Sequence, residues 1–455
     1  MPSRRRRIDP GSVSAAITRI EPPQSGQTLR YSPFSWDLRM NITVESELYI
    51  AAREGKAVYA QNPSYTDLDG REILESVKDE AMLVDPGVGK VFYHDRIYRR
   101  RSSDNGLTWV EEPDLTTENP ADLSGERRNV PAHVLDPNRN VLLSIYSTYE
   151  VDTKEPMFRA GNLRKRTYRM HYQISRDGGR SWTGPQQVVD CRDGFDEVHW
   201  APGLRYGQNG AMADMLAHTW LDDGSLIFGL TVCGDSLEGV IYARGCWNGD
   251  GSDLDFTFGD LITVPPETTR VGCCEPAVAR LGGQGLFNAM RCQGSEEPGL
   301  YSTRQCTRSD DGGMTWSDPE PLRYDDGEWV WNPASFSQFI RSTKTGRTYW
   351  FANVLSSPVH GQMPRYPLAI AEFDTERCCI LKDTVRVIKD LPEGAPMERR
   401  YTNWGLYEER GSGDLIMTLP EQPKSFNFTE MTRPEEFTAD CLRFRIRLDE
   451  DLKAD

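Results

Sequence analysis

An acid, two guanidinium groups and a phenol are strung along the C-terminal part of the chain. Glu275 opens one apolar run and Arg291 closes the next; Arg365 lies in Met363-Pro364-Arg365-Tyr366; Tyr401 lies in Arg400-Tyr401-Thr402-Asn403-Trp404, and Glu421 ends a later run. A tyrosine, with a solution pKa of about 10, becomes a nucleophile only with a base beside it, and Glu275 is the candidate base. Two arginines give bidentate, permanently charged contacts to a carboxylate that lysines would not reproduce. The plainer alternative is a Glu275–Arg291 pair across a hairpin, with Tyr401 an aromatic between packed sheets.

These segments act together only if the fold brings them to one place, and a repeat says how. Ser102–Trp109, Ser175–Trp182 and Ser309–Trp316 share the form S-x-D-x-G-x-[ST]-W. Each suits a tight turn between antiparallel strands, with Asp accepting backbone N–H groups, Gly supplying a positive φ and Trp closing the gap beneath. Asp104 and Asp177 lie 73 residues apart and Asp177 and Asp311 134 apart, twice 67. A degenerate copy falls at Asn248–Phe256, and the period then reaches Glu372-Phe373-Asp374 and the C-terminus. A recurring unit of about 70 residues of short strands marks a propeller of about six blades, each burying its neighbour's face.

The expected architecture is therefore all-β: a six-bladed β-propeller of four-stranded antiparallel blades over residues 31–448, with a tail or strap at 1–30 and a short tail at 449–455. The turn repeats belong on the outer rim. Residues 48–60 read as the inner hairpin of blade one, followed by a rim loop to about residue 80, and Asn129 to Tyr146 opens blade two. Further hairpins fall at 215–230, 277–290, 336–351 and 404–419. Inner strands converge on the axis, so polar residues at their ends share one pocket. On this count Glu275 and Arg291 belong to blade four, Arg365 to blade five, and Tyr401 and Glu421 to blade six.

Composition narrows the partners. The 455 residues carry 38% hydrophobic and 10% aromatic content, enough for a large core, and a net charge of -16 argues against nucleic acid or an anionic membrane surface. No apolar stretch approaches the roughly 18 residues of a membrane helix. Ten cysteines include the neighbours Cys273-Cys274 and Cys378-Cys379 but no C-x-x-C pattern, and six histidines show no ligand spacing, so no metal or other cofactor is expected. Arg4-Arg5-Arg6-Arg7 is followed by no apolar run of the signal type. A cytoplasmic protein with reduced thiols is the expectation, with secretion of a processed form left open.

The chain resembles the sialidase (neuraminidase) superfamily. Its turn repeats look like that family's Asp boxes, and the run Glu275-Pro276-Ala277-Val278-Ala279 to Asn288-Ala289-Met290-Arg291, followed by the repeat at Ser309, is similar to the family's fourth blade. The resemblance implies a carbohydrate substrate ending in an acidic sugar. Glu275 would assist a Tyr401 nucleophile, Arg291 and Arg365 would grip the substrate carboxylate, and Glu421 would follow the tyrosine. A neutral phenol suits such a substrate, because a carboxylate nucleophile would be repelled by the carboxylate on the anomeric carbon; sialidases are known exceptions to the two-carboxylate rule.

The chain also departs from that pattern. The family's first arginine stands in an Arg-Ile-Pro run at the start of blade one, where this chain has Glu45-Ser46-Glu47-Leu48; Arg128-Asn129-Val130-Pro131 is similar but falls one blade later. The general acid is Asp67 by position after the first hairpin, or Asp152 if Arg128 is the true first arginine. Both residues equally suit solvated turns. His133 and His199 are further pocket candidates. Three functions follow: a sialidase-like exo-acting hydrolase retaining through Tyr401, a carbohydrate-binding propeller without catalysis, and a lyase acting on uronate glycans through Tyr401 and a histidine.

Overall fold

Short strands in antiparallel succession build six sheets, and together these form a six-bladed β-propeller. The computed structural model describes residues 29–30, 40–85, 90–119, 126–150, 167–203, 211–212, 217–233, 238–295, 299–422 and 437–448. Blade one is Lys56–Tyr65, Ile73–Asp85, Lys90–Ser102 and Val110–Asn119. Blades two to five follow in order, centred on the hairpins at Ala132–Glu150, His218–Cys233, Cys273–Cys292 and Gln338–Asn353. Lys382–Thr384 is a single short helical turn.

The sixth blade closes the ring. Its strands Gly405–Glu408, Leu415–Gln422 and Cys441–Leu448 are completed by Ile42–Ile50 from the other end of the chain, in register from Ile42 opposite Leu448 to Ile50 opposite Cys441. Leu29–Arg30 adds a further pair beyond it. The hairpin expected over residues 48–60 is thus two strands of different blades: pairing the first strand with the last covers an edge that a local hairpin would leave open. The loop expected from 61 to 80 is also mostly strand. Asn62, at φ 52, and Pro63 sit in a register shift between Gln61 and Ser64, which is where a sheet tolerates a proline.

The turn repeats join the third and fourth strands of blades one, two and four, and their chemistry is local. In blade one the Asp104 carboxylate accepts the N–H groups of Leu107 (3.1 Å) and Thr108 (2.8 Å) and the hydroxyls of Thr108 (2.6 Å) and Ser102 (2.8 Å). Trp109 Nε1 donates to the Gly106 carbonyl at 3.2 Å. The copies at Asp177 and Asp311 repeat these bonds. Each turn needs two successive left-handed residues: Asn105 and Gly106 at φ 65 and 83, and Gly312 and Gly313 at φ 74 and 85. The expected degenerate positions turn the same corner in blades three and five. Ser252 N–H bonds Asn248 and Asp250, and Asp374 accepts from Glu376 and Arg377.

Blades hold one another through faces that alternate along each strand. Trp350 packs toward blade four with Phe339, Phe287 and Phe373, while its neighbours Tyr349 and Phe351 pack toward blade six with Trp404, Met417 and Leu419. Both faces are buried, so the strand Thr348–Asn353 is buried throughout. Each such side chain contributes roughly 1.5–3 kcal/mol by leaving water.

Candidate functional site

The end of the propeller opposite the turn repeats gathers charge. In blade four the first strand carries one extra residue between Cys274 and Ala277 against Arg291 and Ala289 of the second, a bulge occupied by Glu275 and Pro276. Pro276 cannot join the ladder, and Glu275 takes φ 42, a conformation that costs a non-glycine residue about 1–3 kcal/mol. The bulge turns Glu275 toward Arg291, whose Nη1 donates to Glu275 Oε1. The second carboxylate oxygen is buried with no hydrogen-bond partner among the described residues.

Two more guanidinium groups bear on the same carboxylate. Arg304, second residue of the third strand Thr303–Ser309, lies directly opposite Arg291, and Arg365 comes from the loop between the second and third strands of blade five. Arg304 is 0% exposed, and none of its three side-chain nitrogens has a hydrogen-bond partner among the described residues. Among the described residues the side-chain hydrogen bonds of Arg365 are long, to Gln362 Oε1 (3.2 Å), the Ala334 and Gln362 carbonyls (both 3.3 Å) and Thr402 Oγ1 (3.4 Å). Asn353 steadies this corner by donating to the carbonyls of Arg365 (3.0 Å) and Tyr401 (3.1 Å).

The electrostatics follow from three cations around one anion. Burial pushes the Glu275 carboxyl up, but the Arg291 charge and hydrogen bond, with Arg365 and Arg304 behind them, outweigh it and hold the group below the ordinary carboxylate range. Burial is the main effect on Arg304, opposed by Glu275 and reinforced by Arg291, and lowers it to about 10, so it is charged at neutral pH. Arg365 is lowered by burial and then by Arg291 and Arg400.

Tyr401 is not part of this group. It is 0% exposed and lies in the core between blades five and six with Phe336, Leu368 and Trp404. Its hydroxyl makes no hydrogen bond to Glu275; burial raises its pKa, Glu421, Arg399 and Asp390 are the leading charges on it, and Lys389 Nζ lies 5.7 Å from its ring. The expected phenol–Glu275 pair is therefore corrected. Arg400 and Tyr401 form a two-residue strand whose side chains alternate, and it is Arg400 that bears on Arg365. Glu421, opposite Tyr401 in register, is paired with Lys389 at 3.0 Å.

The remaining expected residues lie elsewhere. Asp67 occupies the hairpin turn at the same end as the turn repeats, accepting from Asp69 N–H at 3.1 Å beside Leu68, which bonds Asn140 of blade two. It is on the wrong end to protonate anything held by Glu275. Arg128 belongs to blade two, its guanidinium 3.5 Å over the Tyr146 ring. Asp152 lies outside the described residues. His133 is buried, 3.3 Å from Ser76 Oγ, and His199 pairs with Asp196 at 3.5 Å on the surface. Among the described residues no group of three or more His, Cys, Asp or Glu side chains could hold a metal ion.

Arg304 was missed, although a signal existed. It precedes Ser309 by the interval that separates Met170 from Ser175 and Ile97 from Ser102, and both of those residues are buried and apolar. An arginine at a core position of its own repeat marks a departure from packing. A second polar group, also missed, lies in the first strand of blade one. Tyr59 accepts a hydrogen bond from Gln422 Nε2 at 2.7 Å, with Lys78 4.6 Å above its ring and Lys78 3.1 Å from Glu80.

No family model and no curated protein matches the chain. Solved structures do. A protein of unknown function from Dyadobacter fermentans DSM 18053 is 15% identical with a TM-score of 0.57, over 89% of this chain and 99% of that one. A mutant sialidase from Streptococcus pneumoniae is 12% identical with a TM-score of 0.51, over 96% of this chain and 72% of that one. An intramolecular trans-sialidase from Ruminococcus gnavus, solved with oseltamivir carboxylate, is 12% identical with a TM-score of 0.51, over 88% and 97%. At these identities the likeness is one of fold: the chain shares its propeller architecture with these proteins.

Proposed function

We propose that this protein binds an acidic sugar between blades four and five and removes it from the end of a glycan, as a sialidase-like glycoside hydrolase. One observation carries this reading: Arg304 is fully buried and its guanidinium has no hydrogen-bond partner among the described residues. A buried cation without a partner is strongly unfavourable unless something arrives to pair with it. With Arg291 and Arg365 beside it, the cluster holds three positive charges against Glu275 within a chain of net charge -16. A carboxylate with two oxygens in one plane matches the guanidinium forks. That proteins of this fold include sialidases adds support for the sugar.

In this reading Arg304 and Arg365 hold the substrate carboxylate. Glu275, kept ionised by Arg291, serves as a base or electrostatic stabiliser rather than a proton donor. Tyr401 is poorly placed to be the nucleophile, whereas Tyr59 is a phenol with a carboxylate, Glu80, acting on it. The lyase reading needs a histidine beside the phenol, and neither His133 nor His199 occupies such a position. The burial of Tyr401 in the core favours one competing reading, a propeller that binds acidic glycans without cleaving them.

An assay on sialosides and uronate oligosaccharides, following reducing sugar together with binding calorimetry, tests the proposal. Release of a terminal acidic sugar, abolished in Arg304→Met, is the expected outcome. Binding without release would leave the binding propeller in its place, and absence of both would remove the acidic ligand altogether. Tyr59→Phe and Tyr401→Phe in the same assay separate the two phenols.

A further inference from the structure

Beside Arg365 four aromatic rings form a continuous surface on the rim. Tyr301, in the loop after the second strand of blade four, lies 4.7 Å from His360 and 5.5 Å from Trp331 between ring centroids, and Trp331 lies 5.3 Å from Trp329. His360 is exposed and the other three are partly exposed, so none is wholly consumed by the core. The loops beneath them are tied together. Ser302 N–H donates to the Val359 carbonyl at 2.7 Å, Ser302 Oγ to the Gly361 carbonyl at 2.9 Å, and Leu355 N–H to the Trp331 carbonyl at 2.9 Å. The surface is thereby organised before any ligand arrives.

Polar groups connect it to the arginines. The segment that carries Trp331 also presents the Ala334 carbonyl to Arg365, at 3.3 Å. Gln362 accepts from Arg365 at 3.2 Å and donates to Gln293 Oε1 at 3.2 Å, leaving a pair of side-chain amides exposed between the cations and the rings. Apolar faces edged by amides suit a ligand whose rings have apolar faces and whose rims carry hydroxyls.

We propose that Tyr301, Trp331 and His360, with Gln293 and Gln362, form a second sugar-binding subsite, which takes the sugar adjoining the acidic one. The order of the two sugars rests on the acidic-sugar reading above; the aromatic subsite itself does not. The substrate is then an oligosaccharide or glycoconjugate rather than a small acidic glycoside.

Calorimetry on the full chain tests this with matched probes: the methyl glycoside of N-acetylneuraminic acid against 3′-sialyllactose, and galacturonic acid against its tetrasaccharide. In the wild type the longer member of the pair that binds should bind about tenfold tighter or more. Trp331→Ala and His360→Ala should erase that increment while leaving the shorter member unchanged, and Trp331→Phe should retain most of it. Equal affinity for both members in the wild type, or an equal loss for both in the variants, overturns the proposal. If Trp331→Ala does not fold, His360→Ala decides alone, since its ring is exposed. If no acidic sugar binds, the acidic-sugar reading fails separately. Binding of xylohexaose that His360→Ala abolishes would then still support the aromatic subsite, and no binding of xylohexaose would overturn it too.

Discussion

Blade four carries ionised groups at both of its ends, and their surroundings are opposite. At the turn end the Asp311 carboxylate accepts the N–H groups of Met314 and Thr315 and the hydroxyls of Ser309 and Thr315, and partly exposed as it is, it lacks nothing. At the other end Arg304 is fully buried and bonds nothing among the described residues. A saturated charge on the surface is a device for holding a turn, whereas an unsaturated charge in the interior is a cost that packing alone does not explain. The difference separates structure from function within some eight residues of sequence.

Replacing the unsaturated charge should have the largest effect, in opposite directions for function and stability. Arg304→Met restores the apolar type found at Met170 and Ile97. It should weaken acidic-sugar binding by about a hundredfold or more while raising stability by roughly 1–4 kcal/mol, read by calorimetry and denaturant unfolding. A drop in stability would mean that Arg304 has a partner in the folded chain, and the contrast between the two ends would collapse.

Arg365→Lys keeps the charge and removes the planar fork, so affinity or kcat/KM should fall by about tenfold or more with little change in Tm. Unchanged binding would tell against a carboxylate ligand at this corner.

At the turn end the sign reverses. Asp311→Ala should cost about 1–2 kcal/mol of stability and leave binding intact, which unfolding and titration of one sample would show. The pH dependence has a definite direction. The Thr108 hydroxyl, chiefly, with the Thr108 N–H and the Ser102 hydroxyl, lowers the Asp104 carboxyl to about 2 in the folded chain. Its stabilisation is present above the ordinary carboxylate pKa, about 4, and is lost as the pH falls toward about 2. Asp104→Asn should therefore flatten part of the acid limb of an unfolding-midpoint profile. The smallest effects belong to Tyr401→Phe and Asp67→Asn, which should both leave turnover unchanged; a loss of turnover in either would reopen its assignment.

Much of the fold was legible because its signals are local. The turn repeat needs only Ser, Asp, two left-handed residues and Trp within eight positions, so its copies reveal the period wherever they fall. The degenerate turns at Asn248 and Asp374 were located by that period alone. Blade one was misread because Ile42–Ile50 and Lys56–Tyr65 look like a hairpin to any local criterion, while the true partner of the first, Cys441–Leu448, is nearly 400 residues away.

By itself the sequence determined the all-β class, the number of blades and the turn chemistry, since each depends on contacts within a strand pair or on a regular spacing. The Glu275–Arg291 pair was legible in the same way, as two residues on one hairpin. Tertiary structure alone decided which residues meet across blades. Strand side chains alternate by one position, so whether Arg400 or Tyr401 faces Arg365 turns on a register that neighbouring blades impose. The bulge at Glu275 turns its carboxylate toward Arg291, and the approach of the blade-five loop brings Arg365 to Arg304. These contacts arise between strands and blades distant in sequence, where no local pattern records them.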